Sequence, residues 1–148
     1  MASKDEEEIR KLTVELRLLE QTADTLQSRL NMLNAVATDL TYASMTLDDL
    51  DKEKENSELL VPIGGTAYVR AKLDNPDKVI IGIGAGVSVE KTREEAKDSV
   101  KKRLEELEKA RTATQQQLSK VAEQISRDRE RFETLAAAVR GEKTPENV

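Results

Sequence analysis

Apolar residues recur along the first third of the chain at alternating steps of three and four. The series runs Ile9, Leu12, Leu16, Leu19, Ala23, Leu26, Leu30, Leu33, Ala37, Leu40, Ser44 and Leu47, with leucine at every d position from Leu12 to Leu47. Heptads kept in phase this long, with no proline or glycine among them, predict a coiled-coil helix. Ser3 followed by Glu6 supplies a capping-box start, which places this helix at residues 3–55. The last third of the chain keeps the same spacing through Val100, Leu104, Leu107, Arg111, Thr114, Leu118, Val121, Ile125, Asp128, Phe132, Leu135 and Val139. Thr92 with Glu95 opens this second helix, and Gly141 with Pro145 closes it, placing it at 92–140. Each helix would extend roughly 70–75 Å at about 1.5 Å per residue. Equal lengths joined by a compact middle predict that the two fold back and zip as an antiparallel pair.

Two registers satisfy the pattern. One sets Ala23 opposite Asp128 and Ala37 opposite Thr114; the other buries Asp128 against Leu16 and Arg111 against Leu33. The first is preferred, because a charge packed against leucine is uncompensated.

Between the helices, residues 57–90 change period. In TAYVRAKL (66–73), Ala67, Val69, Ala71 and Leu73 alternate with Tyr68, Arg70 and Lys72, the mark of a half-buried strand. ELLVPI (58–63) precedes it across Gly64-Gly65, a hairpin-turn signal. After the polar turn DNPD (74–77), KVIIGIG and GVSVEK repeat the arrangement, with Val79, Ile81 and Ile83 on one face and Val87 and Val89 beyond the turn. The glycines of VIIGIGAGVSV (79–89) invite a phosphate-loop reading. A dinucleotide fingerprint needs a third glycine or alanine where this chain has Val87, and a helix at once where it has Val-Ser-Val. Gly64-Gly65-Thr66 likewise lacks the lysine of a Walker loop. The glycines mark turns. The predicted fold is α+β and mainly α: a long antiparallel coiled-coil hairpin carrying a central double β-hairpin of four strands.

Two linked hairpins have open edges, and isolated hairpins are marginal in water. Their apolar faces, led by Val61, Ile63, Val69, Val79, Ile81 and Ile83, have little helix surface to pack on if the helices zip away from them. The pattern therefore predicts an oligomer joined through its strands. Composition agrees: charged residues are 36% of the 148, and the aromatics are Tyr42, Tyr68 and Phe132 alone, a thin supply for one closed core.

Charge and chemistry narrow the function. A net charge of −5 argues against a nucleic-acid or anionic-membrane binder. The alternating acids and bases of KDSVKKRLEELEKAR (97–111) read as a solvated coiled-coil face. The chain contains no histidine and no cysteine, so zinc sites of that kind, disulfides, thiol catalysis and imidazole acid–base chemistry are absent. No constellation sets a nucleophile beside a base, and paired acids such as Asp48-Asp49 or Glu94-Glu95 occur throughout so charged a chain. No enzyme and no cofactor are expected. No apolar run approaches a membrane span, and the charged start MASKDEEE does not read as a signal peptide; a cytoplasmic location is expected.

ELLVPIGGTAYVRAKLDNPDKVIIGIGAGVSVEKTREEA, flanked by two heptad helices, resembles the α-type subunit of prefoldin of the archaeal kind, and the resemblance covers nearly the whole chain. The double hairpin is its most specific part, since the β-type subunit of that family has one. The resemblance implies an ATP-independent holdase chaperone of two α-type and four β-type subunits. Their hairpins, here with Val61, Ile63, Val69, Val79, Ile81, Ile83, Val87 and Val89, would form an inter-subunit β-barrel platform. Six coiled-coil arms would hang from it, capture non-native client proteins at their tips and pass them to a group II chaperonin. Mapped onto this sequence, the tip contains Ile9, Leu12, Leu16 and Leu19 with Phe132, Leu135 and Val139. Val14 and Leu18 add independent support, being apolar residues off the seam at i and i+4 on one outward face, and Ala136, Ala137 and Ala138 add uncharged surface. Asp128 in the seam below the tip is expected to let the helices splay there.

Three rivals follow from the same residues. A structural prefoldin-like chain would self-assemble into filaments or act as a tether, since open edges can propagate as well as close. An RNA-binding coiled-coil arm conflicts with the net charge and the β centre. An enzyme has no site. The tail GEKTPENV (141–148) is expected to be disordered.

Overall fold

Helix formation follows the heptad almost residue for residue. The computed structural model describes residues 3–141, and in it helix α1 spans Lys4–Asp49 and helix α2 spans Arg93–Val139. From Ile9 to Leu47, the α1 residues shielded from solvent are the predicted a and d positions and no others. On α2 the predicted seam from Val100 to Leu135 is shielded throughout, joined by Ala110 and Gln124. Val139 departs from the pattern: it is the last residue of α2 and is 44% exposed, so the seam ends before it. Both helices start on the hydroxyl half of a capping box. Glu6 N–H donates to Ser3 Oγ and Glu95 N–H to Thr92 Oγ1, each at 3.2 Å.

The first helix is shorter than predicted. It gives way to a 3₁₀ turn at Leu50–Lys52, because the seam has no apolar residue after Leu50 and the Asp51 side chain is drawn to Arg93 and Lys97. The strands are β1 (Glu58–Gly64), β2 (Ala67–Lys72), β3 (Lys78–Gly84) and β4 (Val87–Thr92). They form two separate antiparallel two-stranded sheets, β1–β2 and β3–β4. The turns sit one residue later than the Gly-Gly reading placed the first of them. Gly65 and Thr66 take φ of +54° and +62°, and Ala85 and Gly86 take +51° and +73°, the all-positive pair of a type I′ turn. A one-residue irregularity precedes each turn, between Pro62 and Gly64 and between Gly82 and Gly84.

The chain divides into two compact units. One holds the residues up to Asn34 and those from Lys109 onward; the other holds Ala35–Glu108. In the first, Leu12, Thr114, Asp128 and Leu135 are buried. Ion pairs Glu20–Arg129 at 2.9 Å and Glu8–Arg131 at 3.0 Å set its two helical segments antiparallel. In the second, Leu47, Ala96 and Val100 make the core, with Leu40, Leu50, Leu104, Val79 and Ile81 packed against it. That packing corrects one expectation. The second hairpin does find helix surface: Val79 and Ile81 of β3 lie on the helical base, helped by Ala96, which is 0% exposed and small enough for close approach.

Candidate functional site

Two surfaces collect the predicted residues, one in each unit. In the Ala35–Glu108 unit the hairpins carry the apolar positions singled out for assembly. On β1 and β2, Val61 pairs with Val69 across the sheet. Val61, Ile63 and Val69 are exposed, as are Leu60 and Tyr68 on the opposite face. On β3 and β4, Ile81 pairs with Val89; Val79, Ile81 and Val89 are half-buried, whereas Ile80, Ile83 and Val87 are exposed. A sheet of two strands with apolar side chains on both faces is not a finished structure in water.

Charged groups fasten the second hairpin and the end of α1 to the start of α2. Arg93 reaches Asp51 at 2.6 Å and Asp77 at 3.1 Å, and its Nη1 also donates to the Pro76 carbonyl at 3.1 Å. Lys97 donates to Asp51 Oδ2 at 2.6 Å. That hydrogen bond, opposed by desolvation and assisted by the two positive charges nearby, holds the Asp51 carboxyl below its ordinary value; the same bond raises the Lys97 ammonium. Arg103 Nη2 donates to the Gly82 carbonyl at 2.7 Å. The glycine stretch that invited a phosphate reading thus gives a backbone carbonyl to a guanidinium. A hollow of about 310 Å³ beside it is lined by Leu73, Asp74, Asn75, Lys78, Val79, Ile80 and Glu90. Among the described residues no group of three or more acidic, histidine or cysteine side chains is placed to hold a metal ion. No helix there is long and apolar enough to cross a membrane.

In the other unit, Val14 and Leu18 stand outward on α1, 59% and 58% exposed, while Leu12 and Leu135 are buried. Ile9, Leu16, Leu19 and Phe132 are half-buried, so the seven seam residues assigned to the tip range from Leu135 at 4% to Val139 at 44% exposed. Ala136 and Ala137 are half-buried and Ala138 is exposed. Glu8 accepts both Arg131 Nε at 3.0 Å and Arg131 Nη2 at 3.2 Å, a fork that pushes the guanidinium still higher. Asp128 is buried at its seam position. Gln124 donates to its Oδ1 at 2.7 Å, and Oδ2 has no hydrogen-bond partner. The calls on residues 142–148 of the tail lie outside the described residues.

Sequence reasoning passed over further exposed apolar side chains, namely Met32, Val36, Tyr42 and Met45 on α1. The signal was present: between Arg29 and Asp48 the only charged residue is Asp39. Leu60, Tyr68 and Ile80 were missed because a period of two assigns one strand face to the core and treats the other as solvated.

Comparison with known proteins agrees with this architecture. Residues 19–138 match the prefoldin subunit family. Prefoldin subunit alpha of Methanosarcina barkeri is 36% identical over 112 residues, 74% of this chain and 78% of that one. Prefoldin subunit alpha of Pyrococcus horikoshii is 31% identical over 124 residues, 83% of this chain and 84% of that one. Among solved structures, a chain of filamentous PFD from Methanocaldococcus jannaschii, determined by cryo-EM, superposes with a TM-score of 0.65 at 26% identity, covering 74% of this chain and 91% of its own length. Two heptad helices, two hairpins between them and these relatives lead to one conclusion: the chain belongs to the prefoldin subunit family, a non-enzymatic chaperone family, as a subunit of the alpha type.

Proposed function

We propose that this subunit works as part of an ATP-independent holdase, with its coiled coil as an arm that captures non-native proteins at the tip and delivers them to a group II chaperonin. Prefoldin subunits act in complexes with other prefoldin subunits. In the proposed assembly two copies of this chain join four β-type subunits through the hairpins, in the cytoplasm. The observation that carries client capture is the pair Val14 and Leu18, both more than half exposed, four residues apart on a helix whose buried stripe is already complete without them. A solvated helix gains nothing in water from two such side chains, whereas an unfolded client with exposed apolar segments matches them.

The test is suppression of aggregation of a chemically denatured client by the assembled complex. Val14→Ser with Leu18→Ser should weaken suppression severalfold while the native mass of the complex stays the same. Full suppression by that variant would remove the tip from the mechanism. A second reading, a chain that self-assembles into filaments or acts as a tether, draws on the likeness to a filamentous prefoldin chain. Native mass decides between them. A discrete hexamer formed only when a single-hairpin β-type partner is co-expressed supports the chaperone, and large assemblies that ignore the partner support the filament.

A further inference from the structure

In the unit that carries the hairpins, one face of α1 is left without a use by the seam. Residues 35–47 hold a single charged side chain, Asp39, in a chain that is 36% charged. Val36, Asp39, Tyr42 and Met45 follow at steps of three, so each lies beside the next on the helix surface. All four are exposed, Tyr42 at 65% and Met45 at 56%. Hydroxyls nearby add little polarity to this face. Thr41 donates to the Ala37 carbonyl at 2.8 Å and Thr46 to the Tyr42 carbonyl at 2.9 Å, so both are satisfied within the helix. The four residues contribute nothing to the core of the unit, where Leu40 and Leu47 supply the α1 stripe.

Side-chain stiffness and charge both say what covers this face. The exposed apolar residues of the hairpins are chiefly valine and isoleucine, whose restricted rotamers suit a partner of fixed shape. Methionine bends to fit partners of varied shape, and tyrosine adds a large ring with a polar end. From Arg29 to Lys52 no basic residue intervenes, and the acids are Asp39, Asp48, Asp49 and Asp51. Lys97 reaches Asp48 at 3.6 Å and Asp51 at 2.6 Å, whereas no described base reaches Asp39 or Asp49. Asp39 precedes Tyr42 by three residues and Asp49 follows Met45 by four, so an uncompensated acid borders the pair at each end. The last turn of α1, where the helix dipole favours cations, has no basic residue of its own. A lysine or arginine on the occupant fits both demands, its stem lying on Tyr42 and Met45 while its charge reaches an acid. We propose that Val36, Tyr42 and Met45 form a second client contact, made of residues other than those of the tip, which takes apolar segments of non-native proteins that also carry lysine or arginine; this rests on the complex being a client-holding chaperone.

The experiment measures binding of two labelled, unstructured peptides to the complex assembled with β-type subunits. Both peptides are rich in leucine and phenylalanine; one carries lysines and the other glutamates in their place. The wild type should bind the lysine peptide about two- to fivefold more tightly, the scale of exposed charge pairs. Tyr42→Gln with Met45→Gln, which keeps good helix formers on the face, should weaken the lysine peptide about tenfold. Asp39→Lys should shift the preference toward the glutamate peptide, a change that a merely structural role would not produce. Native mass is read for every variant. If the Tyr42 and Met45 variant no longer assembles, the face is a contact between subunits and the proposal is overturned. Unchanged peptide binding by that variant, or an unchanged preference in Asp39→Lys, overturns it as well. Val14→Ser with Leu18→Ser separates the two readings. If that change releases the lysine peptide and the Tyr42 and Met45 change does not, the chaperone reading stands and the second contact fails; if the wild type binds neither peptide, both fail.

Discussion

Hairpins β1–β2 and β3–β4 are built to one plan and put to different uses. Each has a two-residue turn with both φ positive, and a one-residue irregularity just before it. Each carries an apolar pair at its centre, Val61 with Val69 and Ile81 with Val89. Yet Ile81 and Val79 rest on Leu47, Ala96 and Val100, and Arg103 and Lys91 tie the same hairpin to α2, Lys91 through Ser99 at 3.4 Å. In the first hairpin every residue from Leu60 to Arg70 is exposed. Turn chemistry decides that a hairpin forms; the helical base beneath decides whether its side chains serve this chain or another.

The strongest way to break that contrast is to remove the base. Leu47→Ala deletes a buried leucine under the second hairpin and should cost about 2–4 kcal/mol in urea or thermal unfolding. Amide exchange at Ile81 should quicken, with exchange at Val61 unchanged. Ile63→Ala, at a residue 64% exposed, should cost under about 0.5 kcal/mol in the isolated chain. Equal costs for the two would mean that both hairpins are docked alike. The next largest effect belongs to Arg103→Ala. It frees the Gly82 carbonyl on an exposed edge and should cost about 1 kcal/mol, again with faster exchange in β3 and β4 only.

A finer test uses the turns themselves. Ala85 is held at a φ of +51° and Thr66 at +62°, conformations that cost a residue with a Cβ about 1 kcal/mol or more. Glycine relieves that strain but adds freedom to the unfolded chain, so Ala85→Gly should yield a net gain of about 0.5 kcal/mol in global unfolding. Thr66→Gly relieves the same strain in a hairpin with no helical support and also removes the Thr66 hydroxyl bond to the Gly65 carbonyl. Its effect should appear as slower local exchange in β1 and β2 without a shift of the main melt. A shift of the main melt would show that the first hairpin unfolds together with the base.

The heptad made the helices legible because burial on α1 repeats with the spacing of its leucines, so Ile9 to Leu47 could be assigned from sequence alone. Strand period and glycine placed both hairpins for a similar reason. What the sequence concealed was docking. Nothing in KVIIGIG distinguishes an apolar strand that packs on its own helices from ELLVPI, which does not; the difference lies in Ala96 and Arg103, far along the chain and unremarkable where they stand. The end of α1 was overrun for a related reason, since DKEKENS is compatible with helix until Asp51 finds Arg93 and Lys97. On the candidate tip, Val14 and Leu18 stand out in the sequence because they fall off a regular seam among charged neighbours, whereas farther along α1 Met32, Val36, Tyr42 and Met45 are marked only by the scarcity of charge around them, with Asp39 alone between Arg29 and Asp48.

The smallest effect expected comes from the ion cluster that fastens α1 to α2 beside the second hairpin. The hydrogen bond from Lys97, then the charges of Lys97 and Arg93, set against desolvation, hold Asp51 below its ordinary 3.8. Its contribution is therefore complete above that value and is lost as pH falls through the lowered one. Lys97 is raised above 10.5 chiefly by its bond to Asp51, so its contribution is complete below 10.5 and is lost as pH rises through the raised value. Between those limits the cluster should add no pH dependence of its own. Exposed pairs contribute little, and salt screens them. Lys97→Met should lower stability slightly at neutral pH, flatten the alkaline fall and soften the acid one, leaving the part that Arg93 and Asp51 sustain. In molar salt the variant and the wild type should converge. If they stay apart at high salt, the Lys97 side chain matters for its packing over the end of α1 and not for its charge.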